Sequence, residues 1–194
     1  MKYYSLLLIA ITLLTQCNEK AIEKDIRNNI SEEKNISNSK NILQIKGNEI
    51  LVPNLKLIVY LSKDAIQKLQ KNNESVIASL LLYGDIEDED TLPEEIRNKV
   101  GPDGLRLGTF QIEEKNISEA ISFNFNNLII PKKFYERLAN KNVYLNINVF
   151  SGRKAFKDNI LNVESFDSNI SRIFSHGNKI ILSGHLIPET RESK

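Results

Sequence analysis

The sequence predicts a mainly β fold, an antiparallel β-sandwich with two or three short helices. Period-two alternation of apolar and polar residues recurs in roughly six stretches, the signature of half-buried strands. Breaks rich in Gly, Pro and Asn separate them, and no strand–helix–strand unit recurs to call for a parallel sheet. No repeat of constant period is present either, which argues against solenoids and propellers. The 194 residues fit one ordinary domain.

The elements follow in order. Leu43 to Val52 opens the globular part, and Leu55, Leu57, Val59 and Leu61 alternate with Lys56, Ile58 and Tyr60 as the next strand. Ser62 is placed to cap a helix over Lys63 to Gln70, with Ala65, Ile66 and Leu69 on one side. Asn72-Asn73 ends that helix, and Ser75 to Tyr83, apolar on both faces, reads as a central strand. From Gly84 to Gly104 the pattern lapses into an acidic run, where Asp85 to Glu95 is expected to be mobile for want of apolar surface to bury. Gly101-Pro102-Asp103-Gly104 fits a β-turn. Strands follow at Leu105 to Glu113, Ala120 to Asn126 and Asn142 to Phe150, with a helix from Pro131 through Leu138 between the last two. Ser151 to Asn159 is a basic loop, Leu161 to Phe166 a short edge strand, and Asp167 can cap a helical turn through Phe174. Lys179 to Ile187 closes the domain as a strand, and Pro188 to Lys194 is a frayed tail.

The N-terminus is built differently. Lys2, the apolar run Leu6 to Leu14 and a cysteine at position 17 follow the order of a secretory signal. The run is about half the ~20 residues a membrane-spanning helix needs. Leu14-Thr15-Gln16-Cys17 resembles the lipobox of bacterial lipoproteins, with Gln16 where a small residue usually precedes the cysteine. That resemblance implies cleavage before Cys17 and its lipidation with a palmitate-type acyl chain. Residues 1–16 are then the signal peptide, 17–46 a lipidated N-terminus and flexible tether, and 47–190 the sandwich. Ile22, Ile26 and Ile30 recur every four residues, so a short helix can form within the tether.

The totals exclude several function classes. Residues 1–16 hold one lysine and no acid, so the mature chain is charge-balanced and lacks global steering toward nucleic acid. Cys17 is the sole cysteine, which rules out an internal disulfide and a cysteine-ligated metal. No Walker loop, dinucleotide-binding glycine motif or nucleophile elbow is present, and no cofactor is expected.

Three constellations remain. Asp85, Asp88 and Asp90 are the candidates for a Ca²⁺ site, but an EF-hand loop starting at Asp85 would need Gly where Asp90 stands, and a solvated loop is the favoured reading. His176 and His185 have no zinc-binding spacing. Asn124 and Asn126, with Asn146 and Asn148, would make an amide-lined face if their strands paired, able to bind a glycan or a partner's strand edge. Arg153, Lys154 and Lys157 in the basic loop can grip an acidic partner. In outline (signal, lipobox, tether, sandwich) the chain resembles small lipoproteins of bacterial secretion machines, which implies a transthyretin-like sandwich, with an immunoglobulin-like one as the other form the strand pattern allows. The expectation is a lipid-anchored protein of the bacterial cell envelope, with its domain in the periplasm or at the cell surface and the outer membrane favoured. It binds a protein partner, touches the membrane through its lipid, binds no nucleic acid and catalyses nothing. The rivals are an inhibitor or immunity lipoprotein against a periplasmic hydrolase, and a hydrolase using dispersed carboxylates.

Overall fold

Strands whose alternate residues are buried set the architecture. Along β3 (Leu55–Leu61) the four odd positions from Leu55 are inside, and Lys56 and Tyr60 are outside. The same alternation orders β4 (Val76–Gly84), β7 (Ala120–Phe125), β9 (Tyr144–Ser151) and β12 (Lys179–Leu186). A computed structural model describes residues 42–188; the signal segment, Cys17 and nearly all of the tether lie outside the described residues. Gln44–Lys46, at the end of the stretch assigned to the tether, is already a strand, β1.

The remaining strands are β2 (Glu49–Val52), β5 (Val100–Gly101), β6 (Gly104–Glu114), β8 (Leu128–Pro131), β10 (Leu161–Val163) and β11 (Phe166–Asn169). Four short helices are described, α1 (Lys63–Lys71), α2 (Glu94–Arg97), α3 (Lys132–Tyr135) and α4 (Ile170–Ser175), where two or three were expected. The protein is a mainly β sandwich. A five-stranded sheet has the order β11-β9-β4-β6-β5, a four-stranded sheet β10-β12-β3-β7, and a small one β1-β2-β8. Their inner faces share one core that includes Leu57, Val59, Leu80, Phe123, Ile147 and Leu182.

Pairing is antiparallel except between β3 and β12, which run parallel from Lys56 beside Lys179 to Leu61 beside Gly184. Those strands stand at opposite ends of the domain's sequence, beyond the reach of any local pattern. β8 was not foreseen, because Leu128-Ile129-Ile130-Pro131 is a brief apolar run directly ahead of a helix. The helix after it is shorter than expected, with Pro131 ending the strand. Asn169, not Asp167, caps α4, its side-chain oxygen accepting the Ser171 N–H at 2.8 Å. Asp167 lies in β11.

The acidic stretch is seated more firmly than its composition suggests. Leu92 and Ile96 are buried, and Asp88 Oδ1 accepts the Asp90 N–H at 2.9 Å. The Arg97 guanidinium donates to the Asp90 and Leu92 carbonyls. The expectation of a loop with nothing to bury therefore overlooked two core residues at i and i+4.

Candidate functional site

At one end of the sandwich, helix α1 hands the chain to β4 through Asn72-Asn73, with Asn73 in the left-handed region at φ 51°. The Glu74 N–H then donates to the Leu69 carbonyl at 2.9 Å, which turns the glutamate inward. Glu74 is only 2% exposed, a rare place for a carboxylate unless its oxygens are satisfied. Oε1 accepts the Ser75 N–H at 2.9 Å. Oε2 accepts the N–H groups of Lys154 and Ala155 at 2.9 and 2.8 Å. Three backbone donors thus converge on an acceptor-only group, the arrangement that best compensates burying it.

Two of those donors belong to the basic loop after β9. Gly152 donates its N–H to the Ser75 carbonyl at 2.8 Å. A Cβ at Gly152 would collide with Ser75 Oγ, so the crossing of the two segments favours glycine there. Arg153 follows at φ 57°, which swings the amides of Lys154 and Ala155 back toward Glu74. The base of the loop is fixed separately. Asn159 Oδ1 accepts the N–H groups of Ser151 and Leu161 at 2.9 and 3.0 Å, and Ser151, fully buried, accepts the Ile160 N–H at 3.1 Å. The Ser151–Ile160 excursion is therefore held at both feet and, through Glu74, in the middle.

The three predicted cations have different surroundings. Lys154 Nζ pairs with Glu113, which also accepts from Ser75 Oγ at 2.5 Å. The ammonium, with the Ser75 hydroxyl second, holds the Glu113 carboxyl below the usual glutamate range. The Arg153 guanidinium sits 5.6 Å from the centre of the Phe150 ring. Lys157 is exposed at the tip, beside the half-buried Phe156. Lys68 Nζ of α1 approaches the centre of the Phe156 ring to 5.5 Å. Sequence reasoning found the loop, its charges and the helix α1, but missed Glu74 and the approach of α1 to the loop; one glutamate in Asn-Asn-Glu-Ser carries no pattern that announces burial.

The amide face, which depended on its two strands pairing, does not form. β7 and β9 belong to different sheets, so Asn124 and Asn126 are separated from Asn146 and Asn148. Asn146 and Asn148 instead share the outer face of the five-stranded sheet with Phe150. Asn148 donates to Asn146 at 3.1 Å, Asn146 donates to Asp167 at 3.2 Å, and the Tyr83 hydroxyl donates to Asp167 at 2.8 Å. Tyr83 stacks on Tyr144 with ring centres 5.5 Å apart. Partial burial and the adjacent Asp167 carboxylate raise the Tyr83 phenol above its ordinary pKa.

Asp85, Asp88 and Asp90 are exposed, and no group of three metal-capable side chains occurs among the described residues. His176 contacts the Arg172 carbonyl and His185 the Leu186 carbonyl, at separate places. The depression beside the acidic loop is shallow and open, about 280 Å³, and Glu87, Asp88 and Glu136 line it. Asp88 is engaged by the Asp90 amide and Glu136 by Lys132 at 3.5 Å. A second open depression, about 590 Å³, runs beside β5 and β6 between Lys99, Arg106 and Phe134. No helix among the described residues is long and apolar enough to cross a membrane. Comparison with protein-family models, with curated proteins and with solved structures returns no match for this chain.

Proposed function

We propose that this protein is a lipid-anchored component of the bacterial cell envelope, whose sandwich is a non-enzymatic binding module that engages a macromolecular partner through the loop 151–159. The observation that carries the reading is the Glu74 clamp. A solvated connection between two strands has no need of a buried carboxylate, yet this one spends its acceptors on loop amides. Ordering a loop before contact removes part of the entropic cost of association, so the clamp suits a surface that must be presented in one shape. Placement in the envelope rests on the signal-like N-terminus and Cys17. The pinned loop equally favours the narrower reading of an inhibitor or immunity lipoprotein, in which a preformed convex loop enters a hydrolase cleft.

The test is made in cells of the source bacterium. A palmitate analogue should label the wild type and not Cys17→Ser, and a photo-crosslinker at Lys157 should give one discrete macromolecular adduct. The same crosslinker at Lys179, on the outer face of the four-stranded sheet, should give none. Equal labelling of both chains would overturn the lipid anchor; equal crosslinking from both positions would overturn the loop as the contact.

A further inference from the structure

The outer face of the four-stranded sheet carries apolar side chains where a solvated face would carry polar ones. Ile181 of β12 is 52% exposed and Tyr60 of β3 is 44% exposed. Half-buried Ile58 lies in register beside Ile181, and Tyr60 follows two residues on along the same face. Together they form one apolar strip across the two central strands of that sheet. Next to the strip, Lys56 and Lys179 stand directly beside each other in register. Like charges so placed repel, and among the described residues neither lysine forms an ion pair. The outward residues of β3, β7 and β12 include no acid, and the loops at the lysine end, 53–54, 126–127 and 176–178, hold none either. Glu164 beside Ser183 and Glu119 beside Leu61 border the face at its other end, with Lys63 and Asp64. Four or five residues of strand separate those acids from the lysines, about 13–16 Å, beyond the ~8 Å screening length of physiological salt.

We infer that this face rests on a bilayer surface bearing anionic lipid headgroups. The inference depends on the lipid anchor proposed above and adds the side of the domain that meets the membrane. Each group on the strip has a counterpart there. Ile58 and Ile181 face the acyl boundary, and Tyr60 brings an apolar ring with a polar tip, the combination favoured at the headgroup level. Lys56 and Lys179 find in lipid phosphates the countercharge the protein does not supply. The contact is too small to hold the domain from free solution, and the anchor removes that requirement. The link from Cys17 to β1, roughly 25 residues, would span about 25–30 Å as a coil, so the face meets the bilayer at high effective concentration. A lipid chain joined to a second, weaker signal is how peripheral attachment becomes stable. In this orientation the five-stranded sheet lies on the far side of the shared core, with its outer face turned away from the lipid.

The chain contains no tryptophan, so one introduced by substitution reports alone. The protein is purified in detergent from its own envelope and reconstituted into phosphatidylglycerol–phosphatidylcholine vesicles brominated in the upper acyl chain. Fluorescence of Ile181→Trp should be quenched by the brominated lipid, and Ser183→Trp on the same face gives the same reading should the first variant fold poorly. Asn148→Trp, on the outer face of the five-stranded sheet, should not be quenched. Adding Lys56→Glu/Lys179→Glu to the Ile181 reporter should abolish the quenching, as should high salt. Lys99→Glu/Lys157→Glu, the same charge change off this sheet, should leave it in place. Flotation of the vesicles reads the anchor separately. A chain that does not float with them overturns the anchor and this face together. A chain that floats with no quenching at position 181, or with equal quenching at 148, overturns the face and leaves the anchor standing. Quenching that survives the lysine reversal, or is equal in phosphatidylcholine alone, overturns the anionic lipid. Absence of quenching together with dimers in sedimentation overturns the bilayer in favour of a second copy of the chain.

Discussion

Glu74→Ala is expected to lower the unfolding free energy by about 3 kcal/mol. The loss comes from donors: the amides of Ser75, Lys154 and Ala155 would all lose their acceptor at once. An unsatisfied buried donor costs about 1–3 kcal/mol, and the loop can recover part of that by loosening toward water. Glu74→Gln separates charge from shape. Its amide has one oxygen, so turning that oxygen to Lys154 and Ala155 places the NH₂ against the Ser75 N–H, donor facing donor. The glutamine variant should therefore fall between alanine and wild type, at about 1–2 kcal/mol. Urea unfolding of the three proteins gives the comparison, and a Glu74→Ala loss below about 0.5 kcal/mol would contradict the clamp.

Phe123→Ala should be the most damaging single truncation in the core, at about 3–5 kcal/mol. Phe123 is fully buried in β7, opposite Leu57 of β3 on the inner face of the four-stranded sheet. Ser122, one residue earlier, pairs with Ile58 on the outer face. Ser122→Ala should change stability by no more than about 0.5 kcal/mol. Thermal unfolding of both variants checks the inward–outward assignment directly. If the serine variant were the more destabilised, the register of β7 against β3 would be wrong by one residue.

That facing, though not the pairing, was legible in the sequence. Ile121, Phe123 and Phe125 against Ser122 and Asn124 admit only one facing, and the same holds for Leu55 to Leu61 and for Leu145 to Val149. Local alternation fixes which way a side chain points, and hence the mainly β sandwich. It does not fix which strand lies beside which. The parallel pairing of β3 with β12, and the assignment of β7 and β9 to different sheets, depend on contacts between distant segments. For that reason the sequence could set Asn124 and Asn126 beside Asn146 and Asn148 only on the condition that their strands paired, which they do not. The acidic loop shows a second limit. Its charges dominate the composition of the stretch, while Leu92 and Ile96 decide how it is held. At the candidate site, the cations Arg153, Lys154 and Lys157 stood out because charge clusters are visible in a line of text. Glu74 did not, because nothing about a glutamate beside asparagines indicates that two amides 80 residues away will close over it.

The account turns on the claim that this exposed loop is held in one shape from within. Amide hydrogen exchange of the wild-type protein tests it residue by residue. The clamp predicts that Lys154 and Ala155, though their residues are exposed at the surface, exchange slowly, and that Glu74→Gln speeds them specifically while the strand amides of β4 and β9 remain protected. If Lys154 and Ala155 exchange as fast as Lys157 and Asp158 in the wild type, the loop is a solvated connection and the proposed binding surface loses its foundation.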